Sequence, residues 1–231
     1  MDGSLISALG VGFLLGLRHA LDADHVAAVS TFVSRHRGLY GSCVLGTFWG
    51  IGHAVALLLA AVATILLRLR IPPEIDRALE GLVAILVVAL GANALVQALG
   101  SIRLHRHEHA HSGHSHRHLH LHLGPTTSHT HVHVIGAGRR PLLMGALHGL
   151  AGSAALLLLV LATMPSTVAA LLYVVVFGVG STVGMVIVSG VIGIPFAVRG
   201  SSERTRLALQ LATGIASLGV GVAMLLPLSG R

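Results

Sequence analysis

Long apolar runs separated by short arginine-bearing stretches set the pattern of this chain. A run of about 18 or more apolar residues can cross the hydrocarbon core of a bilayer as a helix. The pattern predicts six spans, at residues 4–33, 40–67, 78–101, 141–164, 167–198 and 206–226. The expected fold class is all-α, a polytopic membrane helix bundle. A polar segment, residues 102–140, separates three spans within residues 1–101 from three within residues 141–231.

The first span differs from the others. As one helix it would measure about 45 Å, against a hydrocarbon core of roughly 30 Å, so it must tilt, bend or unwind. Gly10, Gly12 and Gly16 make bending easy. A polar block also interrupts it: Gly16-Leu17-Arg18-His19-Ala20-Leu21-Asp22-Ala23-Asp24-His25.

The two groups of spans share small-residue patterns. Gly50-Ile51-Gly52-His53-Ala54-Val55 resembles Gly178-Val179-Gly180-Ser181-Thr182-Val183 at an offset of 128 positions, and Leu90-Gly91 matches Leu218-Gly219 at the same offset. His19 and His148 lie 129 apart. Three spans is an odd number, so the second group must enter the membrane from the opposite side. The expected arrangement is a 3+3 inverted repeat, which in transporters carries its site near the midplane.

Composition supports lipid as part of the solvent. The chain is 54% hydrophobic and 10% charged, with a mean hydropathy of +0.84; a soluble domain is about a quarter charged. The formal net charge is +7, and all 15 basic residues are arginines. Ten of them fall in loops on one side of the expected membrane and four on the other, with Arg18 inside a span. The arginine-rich side is the cytoplasmic one. Both termini are then expected outside the cell membrane, and segment 102–140 inside. Scattered arginines and 3% aromatic residues offer neither a basic face nor stacking platforms, so no nucleic-acid partner is expected. Cys43 is the only cysteine, which excludes an internal disulfide and a thiolate cluster. Met1-Asp2-Gly3-Ser4 places no positive charge before the first apolar run, so no cleaved signal peptide is expected.

The polar block carries the chemistry. One arginine, two aspartates and two histidines within a spanning segment are costly in lipid and usually mark an ion pathway. On a continuous helix His19, Asp22 and His25 share one broad face, Asp24 points elsewhere, and Arg18 is four residues from Asp22 and placed to pair with it. Imidazole suits nickel, copper, zinc and iron, and carboxylates neutralise the ion's charge without a sulfur ligand. His19, Asp22, Asp24 and His25 are therefore candidate metal ligands. His53 follows two glycines in the second span, and His148 joins it through the repeat. Asn93 shares a face with Gln97, which suits bonding to a neighbouring helix or support of the pathway.

These residues resemble the nickel/cobalt transporter family of secondary permeases. That family carries a membrane-embedded Arg-His-Ala-x-Asp-Ala-Asp-His, matched here from Arg18 to His25, and a Gly-His element in the next span, matched by Gly52-His53. His148-Gly149-Leu150-Ala151-Gly152-Ser153 resembles a shorter branch associated with urease accessory permeases. The resemblance implies that His19, Asp22, Asp24 and His25 act in selecting and moving the metal.

Twelve of the 17 histidines lie between His105 and His133. They are His105, His107, His109, His111, His114, His116, His118, His120, His122, His129, His131 and His133. Tracts of this kind bind metals loosely, and an imidazole with a reference pKa of about 6.5 is mostly neutral at pH 7. The segment is expected to lack fixed structure and to buffer metal on the cytoplasmic side.

The function expected is a permease for Ni2+ and Co2+ working inward. Efflux, a membrane metal sensor without transport, and an intramembrane metalloenzyme stand as alternatives. The enzyme reading lacks a His-Glu-x-x-His motif and a deep glutamate base. No cofactor is expected beyond the ion carried. A metallochaperone or a second copy of the chain are the macromolecular partners left open.

Overall fold

The computed structural model describes residues 3–34, 38–67, 72–100, 102–111, 114–123, 134–151, 160, 163–197 and 203–229. Its elements in chain order are α1 (Gly3–His19), α2 (Ala23–Val33), α3 (Leu39–Ile65), α4 (Pro73–Gly100), β1 (Ile102–His111), β2 (His114–Leu123), α5 (Val134–Leu150), α6 (Thr167–Ala197) and α7 (Glu203–Ser229).

Local chemistry sets these boundaries. Gly38, at φ +149°, separates α2 from α3 in a conformation that favours glycine. The Ile75 amide donates to the Pro72 carbonyl at 3.0 Å, so Pro72 opens α4 and Pro73 fills its first position. Glu74 and Asp76 then lie in the first turn, where the helix dipole favours acids. Ser166 caps α6, its Oγ accepting from the Ala169 amide at 3.2 Å.

Among the described residues, four helices are long and apolar enough to cross a membrane: α3, α4, α6 and the stretch Arg204–Leu228 of α7. The pair α1 and α2 passes the same criterion together, bent by 54°, and makes up to five. The protein is thus a multi-pass membrane protein with an all-helical bundle. The fourth expected span, residues 141–164, begins in α5, and its residues 152–159, 161 and 162 lie outside the described residues. On α6, Val175, Val179, Val183, Ile187 and Val191 are exposed at four-residue spacing, while Phe177, Ser181, Gly184 and Met185 are buried. A β-branched stripe of this kind is an apolar face fit for lipid.

Between the helices, glycines allow close approach. The largest packings are α3 on α6, α3 on α5, α4 on α7 and α1 on α6. A Cβ on Gly16 would meet the Phe177 carbonyl and the Ser181 amide, which fixes the α1–α6 crossing. A Cβ on Gly145 would meet the Trp49 carbonyl and the His53 amide, which fixes the α5–α3 crossing. Gly180 lies against the Phe13 carbonyl and Gly52 against the Leu142 carbonyl at the same two crossings. Where α3 meets α6, Gly50 packs on Thr182 and Gly178 on Ala54.

Strands β1 and β2 pair antiparallel, with His105 opposite His120 and His107 opposite His118. Absence of regular structure was the expectation here. The alternation of histidine with other residues has a period of two, which is the period of a strand. The side chains of this hairpin and all of residues 124–133 lie outside the described residues, as does the metal-buffering role of the histidines there.

Candidate metal site

The first span breaks at its polar block. The Leu21 amide donates to the Arg18 carbonyl at 2.8 Å and the Asp22 amide to the His19 carbonyl at 3.0 Å, a tight turn that closes α1. Asp22 is extended (φ −61°, ψ 144°) and opens α2, with the Val26 amide donating to its carbonyl at 3.0 Å. The end of one helix and the start of the next therefore meet at a bend of 54°. Interrupted helices of this kind bring backbone dipoles and polar side chains to the middle of a transporter.

Two carboxylates orient two imidazoles there. The Asp22 side chain does not cap α2; its Oδ2 accepts from His19 Nδ1 at 2.7 Å. Asp24 Oδ1 accepts from His25 Nδ1 at 3.0 Å. An ionised carboxylate only accepts, so the ring nitrogen facing it carries the hydrogen and Nε2 keeps its lone pair. His148 reaches the same state through the backbone, its Nδ1 donating to the Met144 carbonyl at 3.1 Å. The second oxygen of Asp24 lies 3.9 Å from His148 Nε2. His25 Nε2, His148 Nε2 and both nitrogens of His53 are buried without a hydrogen-bond partner among the described residues. Buried polar atoms normally find partners, so this concentration of unpaired nitrogens is unusual for a packed interior.

The rings converge. His19, His25 and His53 each offer a ligand atom, and these atoms lie within 4.8 Å of one another. Ring centroids are 4.6 Å apart for His19 and His25, 5.0 Å for His19 and His53, and 5.3 Å for His25 and His53. His148 stands behind His25 at 5.0 Å. Trp49 flanks His148 at 5.1 Å, and Phe177 flanks His19 at 5.5 Å. All four histidines, with Asp22 and Asp24, line a cavity of about 660 Å³. His25, His53 and His148 are each only 2% exposed.

Two expectations are corrected. Asp22 pairs with His19 and not with Arg18; α1 stops at His19, so the four-residue spacing no longer lies along one helix. Arg18 lines the cavity without an ion-pair partner among the described residues. Asn93 does not reach the site. It is exposed and accepts from Gln97 of its own helix at 2.8 Å, because α4 turns Val87, Gly91 and Ala94 inward. The cavity also contains Glu80 of α4, which the sequence reading passed over. Its signal was available: a carboxylate just inside the third expected span.

A family model described as NicO, high-affinity nickel-transport protein, matches residues 5–225. The urease accessory protein UreH of Bacillus sp. (strain TB-90) is 37% identical over 218 residues, covering 94% of this chain and 90% of that protein. No solved structure matches. With both the polar block and the histidines of α3 and α5 inside the matched region, the chain belongs to the NicO family of high-affinity nickel-transport proteins.

Proposed function

We propose that this protein is a secondary permease that carries Ni2+, and Co2+ as a second substrate, into the cell through the cluster of His19, His25 and His53. The observation that carries this reading is the convergence of His19, His25 and His53, whose ligand atoms lie within 4.8 Å of one another, with His25 Nε2 and both nitrogens of His53 buried and unpaired among the described residues. Asp22 and Asp24 hold two of the rings and neutralise the ion's charge. Such outer carboxylates fix the tautomer and raise the basicity of the ligand. His148 serves the same ion through Asp24. Imidazoles and carboxylates without thiolate match nickel and cobalt. The ion is cargo, so no resident cofactor and no catalytic step are part of this reading.

The reading includes six spans arranged as an inverted repeat, α1 with α2, α3 and α4 against α5, α6 and α7. The paired contacts support it. Gly16 on Phe177 corresponds to Gly145 on Trp49, and Gly180 on Phe13 to Gly52 on Leu142, at the offsets of 128 and 129 seen in the sequence. Phe177 beside His19 corresponds to Trp49 beside His148. Rocking of one half against the other about the histidine cluster would expose it to each side in turn. The arginine distribution supports a cytoplasmic location for residues 102–140 and outward termini. A metallochaperone meeting that segment, or a second copy of the chain, would complete the pathway inside the cell.

Direction is tested in membrane vesicles that contain the protein. Right-side-out vesicles should accumulate nickel-63 faster than inside-out vesicles under an inward-negative potential. Accumulation by inside-out vesicles alone would replace uptake with export.

A further inference from the structure

Glu80 lines the same cavity as the histidines but comes from a different helix. It lies on α4, about 10 Å along the axis from Pro73, at the rise of an α-helix. The end of α7 is beside it: a Cβ on Gly81 would lie 3.7 Å from Leu228 Cδ1, and Met224, Pro227 and Leu228 line the cavity with Glu80. The cavity thus extends from the imidazoles toward the face where α4 begins and α7 ends. Glu80 is half-buried and has no hydrogen-bond or ion-pair partner among the described residues. A carboxylate inside an apolar span without a partner is costly unless a cation visits it.

Charge points the same way. Arg18, Asp22, Asp24 and Glu80 are the arginine and carboxylate side chains that line the cavity. Three carboxylates against one guanidinium leave a formal charge of −2, equal and opposite to a divalent cation. Without Glu80 the wall would carry −1, and a divalent ion beyond the reach of the imidazoles would face Arg18 with less to offset it.

We propose that Glu80 forms an outer station, distinct from the imidazole cluster, that receives the hydrated divalent cation and passes it to His19 and Asp22. This rests on the transport reading above. A carboxylate suits an ion that still holds its water, whereas the buried imidazoles suit one that has lost part of it. The station therefore sets how readily an ion is captured and not how the inner cluster holds it.

The test compares initial nickel-63 uptake by proteoliposomes of wild type, Glu80→Gln, Glu80→Ser and Glu80→Asp. Nickel K-edge absorption of each purified protein reads the inner shell. The expected result is a KM raised roughly tenfold in Glu80→Gln and Glu80→Ser, with the maximal rate and imidazole shell kept, and a near-normal KM in Glu80→Asp. Unchanged KM in both neutral variants would overturn the proposal. So would loss of imidazole coordination in both, since Glu80 would then belong to the inner site. A wild type that carries no nickel would remove the transport reading and this one together, whereas failure confined to the neutral variants removes only the outer station.

Discussion

His53 is the imidazole with neither nitrogen bonded, held between His19 and His25. His53→Ala should therefore weaken nickel binding at least tenfold, or about 1.4 kcal/mol, and because the ring is buried its removal also leaves a cavity that lowers stability. Nickel titration calorimetry on detergent-solubilised protein checks this. Asp24→Asn keeps an acceptor for His25 Nδ1 but removes the charge. It should lower nickel affinity by about 10- to 100-fold, the range seen when partners of metal-bound histidines are replaced. An unchanged affinity would show that Asp24 plays no part in holding the ion.

Much of this cluster was legible in the sequence, because ionisable residues in lipid need a reason. His19, Asp22, Asp24 and His25 stood out by their cost in lipid, His53 by the glycines before it, and His148 by the offset that links the halves. The pairing among them was not legible. Which carboxylate meets which ring depends on where the helix stops, and the Arg18–Asp22 spacing assumed that it continued. Glu80 was visible as a carboxylate just inside a span, but only the packing of α4 brings it to the cavity of the histidines.

At the level of helices, the bend in the first span followed from its length, but its place at Ala20–Asp22 follows from hydrogen bonds to the Arg18 and His19 carbonyls. The hairpin of β1 and β2 was overlooked because histidine-rich composition was weighed above its period of two. Glycine contacts carry a further expectation. Gly145→Ala places a methyl against the Trp49 carbonyl, so α5 must move away from α3, at about 1–3 kcal/mol, the usual cost of overpacking. Gly219→Ala meets nothing within 4 Å and should be neutral or stabilising by about 0.5–1 kcal/mol, as expected for glycine to alanine within a helix. Thermal unfolding in detergent should place the first variant below wild type and the second level with it or above. The same order in reverse would mean that the α3–α5 crossing is not limited by Gly145.

The assembled protein adds orientation and the histidine-rich segment. In a Cys43→Ala background, a cysteine introduced at Ser128 should resist a membrane-impermeant thiol reagent in intact cells and react once the membrane is opened. Reaction in intact cells would reverse the topology drawn from the arginines. Deleting His105 to His133 should leave part of the transport intact, because His19, His25 and His53 meet one another through α1, α2 and α3 alone. Complete loss of flux from a normally inserted deletion protein would give that segment an obligatory role.

The most direct measurement is nickel-63 flux into liposomes containing the purified protein, beside a His19→Ala, His25→Ala double variant of the same fold. Saturable flux in the wild type that the double variant loses is the predicted result. Equal flux in both proteins would mean that nickel crosses by another path, and binding without flux in correctly inserted wild-type protein would contradict a permease altogether.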